Sequence, residues 1–291
     1  MLLLDDVEPG MAELLSLVDG CHHRSELDAA AIRLGVSLSQ LDWVLRTLAD
    51  AQLLDSSAQP AEGQPARSAQ RVRLVGAGPL GHAVGQLLCR GSLSVLHVID
   101  PDPPDLTLYP NSGALGSQAE AFAACWGGSS TTRVQVANHW SKPDGIQTHL
   151  TIIASERLEC DRVLAEGLLR SDQPHLVLRP RAGGVVVGPL VLPGQTPCLR
   201  CTDLVRRDAD PAWPTLLPQL LRTRMPVTAA LAGWAGGVAA AQTLAFLQGS
   251  TPETCGATLE ITPADHLTRR RSWSMHPGCG CGWGATAQWG A

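Results

Sequence analysis

The first 55 residues alternate short apolar stripes with turn signals. Leu2, Leu3 and Leu4 read as a strand, and Met11 to Val18 as a short helix with Leu14, Leu15 and Val18 on one face, broken by Asp19-Gly20. Ser25 is expected to start a second helix, with Asp28 as the acidic half of a capping box. Leu27, Ala30, Ala31 and Leu34 would form its buried face, and Gly35 would close it. Ser37 or Ser39 opens a third helix with Leu41, Val44, Leu45 and Leu48 at helical spacing, and Leu53 and Leu54 lead into a closing strand. Together these elements predict a small, winged-helix-like α+β module.

Residues 56 to 70 (SSAQPAEGQPARSAQ) show no apolar periodicity and read as flexible linker. The module is therefore placed at 1–57, the linker at 58–70 and a larger domain at 71–291. That domain opens with the buried-strand pattern RVRLV, then the turn GAGPLG (Gly76, Gly78, Gly81) and a helix from about His82 to Arg90. A second strand, SVLHVID, ends at Asp100. Asp100 lies 19 residues past Gly81, close to the roughly 20 of a dinucleotide-binding unit, so the domain is expected to be α/β and Rossmann-like. The glycines could serve a nucleotide, or only the tight turn and close helix packing. The spacing does not choose between them.

Of nine cysteines, Cys21, Cys89, Cys125, Cys160 and Cys255 stand alone and read as small buried apolar residues. Cys198-Leu-Arg-Cys201 and Cys279-Gly-Cys281 are different, being pairs on tight turns far apart in sequence. Two such pairs suit a structural, tetrahedral zinc held by four thiolates, tying a loop to the C-terminal tail. His276 is a competing ligand, and disulfide pairing is disfavoured in a reducing compartment.

Composition narrows the functional classes. The chain is 44% hydrophobic and 17% charged, enough apolar material for a core and unlike a disordered chain. No run of about 18 apolar residues is read, and the N-terminus MLLLDDVEPG is acidic, so a soluble, cytoplasmic chain with no membrane partner is expected. Net charge is −5, and residues 1–57 carry ten Asp and Glu against three Arg (Arg24, Arg33, Arg46), a balance of −7. A phosphate-binding surface needs clustered cations, so nucleic acid is not an expected partner, and a DNA-binding regulator is the weakest reading.

The glycine turn after RVRLV, Asp100, the pair Cys198/Cys201, the alanine-rich run VTAALAGWAGGVAAAQTLAFL and the second cysteine pair occur in that order over residues 71 to 282. This resembles the ThiF/MoeB-type superfamily, relatives of ubiquitin-activating enzymes, although the last pair is C-x-C where many members have C-x-x-C. The resemblance implies a homodimer that adenylates a C-terminal carboxylate with ATP, using Asp100 and an acidic residue matched by Glu156. It also implies an Arg and a Lys after the acidic residue, yet from Gly91 to Thr132 there is neither, and only Asn111 fits the pattern. The single lysine, Lys142, lies beyond. Nucleotidyl transfer needs cations around the phosphates, so the expectation is a cleft that has lost adenylation, with bound ATP left open. No thioester cysteine lies between Cys201 and Cys255. The tract TDLVRRDADPAWPTLLPQLLRTR reads as a partly ordered crossover anchored by Trp213, Leu216 and Leu217.

The run LLSLVDGCHHRSELDAAA with LDWVLRTLADAQLLDS resembles PqqD-like modules that recognise leader peptides. In such modules an extended leader adds as a strand. Here the groove would be built from Leu2, Leu3 and Leu4 with the third helix, supported by Val44, Leu48 and Leu53. A PqqD-like module fused to a cation-poor ThiF-like domain is similar to the leader-binding proteins of azole-forming peptide pathways. That similarity implies a scaffold delivering a precursor peptide to a separate YcaO-type cyclodehydratase or a dehydratase. An active adenylyltransferase acting on a peptide or sulfur-carrier carboxylate is the alternative.

Overall fold

The computed structural model describes residues 9–18, 24–51, 54, 70–91, 93–128, 132–137, 139–140 and 148–282. The chain divides into two compact units, Met1–Ala61 and Glu62–Ala291. The segment read as linker falls almost wholly outside the described residues.

The first unit contains α1 (Pro9–Ser16), α2 (Arg24–Arg33) and α3 (Leu38–Asp50). Their apolar stripes meet in a core of Leu14, Leu27, Ala30, Ala31, Val36 and Leu41. α1 begins two residues before its apolar pattern. α2 begins at Arg24, so Ser25 lies in the first turn and does not cap, and Asp28 forms an ion pair with Arg24 at 2.7 Å. The capping box is found one helix later. Ser37 Oγ accepts the Gln40 N–H at 3.2 Å while the Gln40 side chain accepts the Ser37 N–H at 2.9 Å. Gly35 closes α2, and the Val36 N–H returns to Ala31 O at 2.9 Å. The strand expected at Leu2 to Leu4 lies outside the described residues. Of the expected closing strand only Leu54 is described, at a bend.

The second unit is built on one eight-stranded sheet. Its strands are β1 (Arg71–Val75), β2 (Val95–Ile99), β3 (Arg133–Val136), β4 (Leu150–Ala154), β5 (His175–Arg181), β6 (Gly184–Val191), β7 (Ala257–Ile261) and β8 (Arg269–Ser272). The order is β3-β2-β1-β4-β5-β6-β7-β8, parallel through β5 and antiparallel from β6 onward. β2 and β4 are buried along their whole length, as parallel strands covered on both faces must be. α4 (Pro79–Arg90), α5 (Gln118–Trp126) and α9 (Ala229–Leu247) pack on one face. α6 (Arg162–Arg170) and the start of α7 (Leu199–Ala209) pack on the other.

Several expectations are corrected here. α4 starts at Pro79, not near His82, because Gly78 takes the cap position and proline's fixed φ suits the first helical residue. α9 is long and apolar enough to cross a membrane by length and composition, although no run of about 18 apolar residues was expected. It buries Ala232, Ala235, Gly236, Ala239 and Ala240 against α4 and the sheet, as the core helix of a folded domain does. The crossover is helical, in α7 and in α8 (Trp213–Leu220). Leu216 is exposed and no α8 residue is fully buried, so α8 is not held by an apolar anchor. Cys125 is exposed, Cys255 is partly buried, Cys89 and Cys160 are buried as expected, and Cys21 lies outside the described residues.

Candidate functional site

β1 runs into a turn whose first residue, Gly76, has φ +95°, and a Cβ there would collide with Ala154 O at the end of β4. A Cβ on Gly81, inside the first turn of α4, would strike Gly76 O. The turn is held from both sides. Tyr109, fully buried, donates its hydroxyl to Ala77 O at 2.7 Å, and Asp100 Oδ2 accepts the Ala77 N–H at 2.7 Å. Asp100 also takes the Gln118 amide at 3.0 Å and the Asp102 N–H at 3.1 Å. In this structure Asp100 therefore acts as a brace for the turn.

At the carboxyl ends of β1, β2 and β4 a cleft of about 380 Å³ opens, lined by Gly76, Asp100, Asp102, Glu156, Arg157 and Arg224 among others. It lies where open α/β sheets bind ligands. The sequence reading expected no cation here, and the structure corrects that. Arg224, from the segment after α8, bridges Asp102 at 2.6 Å and Glu156 at 3.1 Å, and Arg157 also lines the wall. The segment is laced to the sheet by backbone bonds from Leu158 N–H to Thr223 O (3.0 Å) and from Met225 N–H to Glu156 O (2.9 Å). Asn111 lies exposed on the loop after β2, and Lys142 is outside the described residues.

The Glu156 carboxylate lies directly over Gly78, where a Cβ would collide with it. Gly78 caps the N-terminus of α4, the position whose free N–H groups and positive dipole end favour an anion. Burial raises the Glu156 pKa, Arg224 lowers it, and Asp100, Asp102 and Asp105 raise it further, leaving it above the ordinary carboxylate value. The Glu156 carboxylate lies beside Gly78 and Arg224 is paired with two acids, so a triphosphate entering the cleft would have to displace both.

The four paired cysteines converge. Their Sγ atoms all lie within 4.8 Å of one another, with Cys198–Cys279 at 3.4 Å, Cys201–Cys281 at 3.3 Å and Cys198–Cys201 at 3.9 Å. A tetrahedron with Zn–S bonds of about 2.3 Å has edges of about 3.8 Å, so this group fits a metal ion of that geometry. The His276 backbone N–H points at Cys201 Sγ at 3.4 Å, a donor that favours the thiolate form a metal needs. His276 does not compete. Its Nδ1 accepts the Gly278 N–H at 3.0 Å and its Nε2 contacts Asp208 at 2.8 Å.

A second charged constellation, missed by the sequence reading, lies under α8. Buried Glu159 receives Arg162 at 2.8 Å, Arg206 at 3.0 Å and Arg179 at 3.3 Å. Arg162 also makes a two-pronged pair with Asp203 at 2.7 and 2.9 Å. Burial would raise the Glu159 pKa, but the three guanidinium groups overcome it and hold it below the ordinary value. Trp213 stacks on Arg206 and donates its indole N–H to Asp203 at 3.2 Å, a polar anchor in place of the expected apolar one.

In the first unit Val44 is buried and Leu48 half-buried, whereas Trp43 is 60% exposed on the same helix. Leu2, Leu3, Leu4 and Leu53 lie outside the described residues. Trp43 was legible as a tryptophan off the apolar stripe of α3.

No protein-family model and no curated relative matches the chain. Among solved structures, E. coli MccB with ATP superposes with TM-score 0.62 at 15% identity, over 87% of this chain and 84% of that one. The microcin C7 biosynthetic enzyme MccB in complex with N-formylated MccA gives 0.58 at 16%, over 74% and 68%. Selenomethionine-labelled PaaA gives 0.60 at 14%, over 94% and 93%. The chain thus shares the fold of MccB and PaaA, in keeping with the ThiF/MoeB-type resemblance of its sequence.

Proposed function

We propose that this chain is a leader-peptide-binding scaffold that presents a ribosomal precursor to a separate modifying enzyme, a YcaO-type cyclodehydratase or a dehydratase. The observation that carries this reading is the acidic wall of the cleft, where the Glu156 carboxylate sits beside Gly78 and Arg224 is already paired with Asp102 and Glu156. Asp100, Asp102, Asp105 and Glu156 outnumber Arg157 and Arg224 around the cleft. Unless a divalent cation bridges them, these carboxylates would repel a triphosphate, and the two arginines already paired or at the rim are the cations available to stabilise developing charge. The fold likeness to MccB, solved in complex with N-formylated MccA, supports a peptide-handling role.

The leader would sit on the acidic first unit, an extended strand supplying backbone hydrogen bonds and α3 the side-chain contacts, Trp43 among them. The four cysteines would hold a structural zinc. The second unit would dimerise and dock the enzyme in the cytoplasm. Titrating the full chain with a labelled leader tests this. Saturable binding that is weakened about tenfold or more by Trp43→Ala is expected, since buried aromatic anchors carry much of an interface's energy. No binding to the native chain would remove the reading.

Adenylation is the second reading, favoured by one observation: Arg224 and Arg157 do reach the cleft. It requires Arg224 to leave Asp102 and Glu156 for the phosphates.

A further inference from the structure

The arginines beneath α8 outnumber the carboxylates that face them. A pocket of about 260 Å³ is walled by Arg179, Arg181, Arg206 and Arg271 against Glu159 and Glu260. Arg162 and Asp203 behind it add one charge of each sign, so the surplus stays at two. Both carboxylates of the wall are spent, Glu159 on three guanidinium groups and Glu260 on Arg181. Arg206, only 16% exposed, lies between the indoles of Trp213 (4.7 Å) and Trp273 (5.1 Å). Arg271 also stacks on Trp273, at 4.2 Å, and has no carboxylate partner among the described residues. Burial and the neighbouring guanidinium groups of Arg179 and Arg162 pull the Arg206 pKa down, against Glu159 and Asp203. Arg271, exposed on β8 and without a carboxylate partner among the described residues, is the cation left to meet an incoming anion.

What carries the anion is suggested by the strand that supplies Arg271. β8 ends the sheet order, so one edge of its backbone has no strand beside it among the described residues. Such an edge accepts an extended peptide. We infer that this pocket binds the carboxylate of an acidic side chain on a peptide laid along β8, gripped by Arg271 and Arg206. The inference rests on the peptide-handling reading, but it uses a different unit from the one assigned to the leader. Guanidinium forks match carboxylates in a two-pronged, planar fashion, and the tryptophans hold those forks flat.

The test uses the full chain and a fluorescein-labelled octapeptide of alternating Thr and Glu, read by anisotropy, with the Thr-Gln octapeptide and inorganic phosphate as comparisons. The Glu peptide is expected to bind and the Gln peptide not to. Arg271→Gln should weaken binding about tenfold or more. Arg271→Lys should give an intermediate loss, because charge remains and the fork is gone. Arg270→Gln should change it less than about twofold, since Arg270 does not line the pocket and pairs with Glu253 at 3.2 Å. Absence of binding, equal losses at Arg270 and Arg271, or displacement by phosphate as readily as by unlabelled peptide would each overturn the inference. A labelled leader that binds native and Arg271→Gln chains equally, while the Glu peptide fails, would sink this inference alone. The converse result would sink the scaffold reading and leave this pocket standing.

Discussion

Glu156 and Glu159 sit three residues apart after the same strand, and their surroundings push them in opposite directions. Glu159 is buried among three guanidinium groups that hold its pKa below 4.5. Its stabilising contribution is therefore present above about pH 4.5 and is lost as pH falls through the folded value. Glu156 is raised by burial and three neighbouring aspartates in spite of Arg224, so the native state takes up its proton first and gains stability as pH falls towards 4.5. Glu159→Gln should cost about 3 kcal/mol by stranding buried guanidinium groups. Glu156→Gln should stay within about 1 kcal/mol, because its one ion pair is to an exposed arginine, Arg224, and the neighbouring aspartates disfavour its charge. Urea unfolding of both variants at pH 7 checks the contrast, and comparable losses would contradict it. Neither outcome was legible in the sequence. Glu156 stands out there only through a family resemblance, and the arginines around Glu159 come from positions 162, 179 and 206, on three different elements.

The elements most readily read were those with a local signal. RVRLV and SVLHVID declare themselves by β-branched and apolar residues flanking the glycine turn, the alanine-rich α9 by its length and composition, and the C-x-x-C and C-x-C turns by spacing. Helix starts were read less well. Ser25 with Asp28 mimics a capping box, but Arg24 captures Asp28, and the box forms at Ser37 with Gln40, whose amide reaches back as a carboxylate would. α8 misled for a different reason. Its leucines suggested burial, while the element is held by Trp213 through a cation–π contact and an indole hydrogen bond. At this scale the cysteine cluster matters most, because it ties the start of α7 to residues 279–281. Purified chain should contain about one zinc by elemental analysis. Stripping the metal with a strong chelator should lower Tm by several degrees, with Cys279→Ser reproducing the loss. A metal-free chain of unchanged Tm would contradict a structural metal.

Across the whole molecule, charge and chemistry are unevenly divided. Residues 1–57 carry −7, and the remainder carries 19 Lys and Arg against 17 Asp and Glu, or +2. The acidic unit exposes Trp43, and the larger unit holds a glycine turn with the Glu156 carboxylate beside Gly78. The missing cations between Gly91 and Thr132 were plain in the sequence. The arrival of Arg224 was not, because it depends on the crossover folding back over β4, 122 residues from Asp102 in the chain. That arginine makes adenylation the rival to be measured. Peptide-dependent exchange of labelled pyrophosphate into ATP, run with the full chain, Mg²⁺ and the precursor peptide, addresses it most directly. No exchange above the no-enzyme background is expected. Exchange that requires both the precursor and Arg224 would show that the cleft still transfers nucleotide, and would replace the scaffold with an activating enzyme.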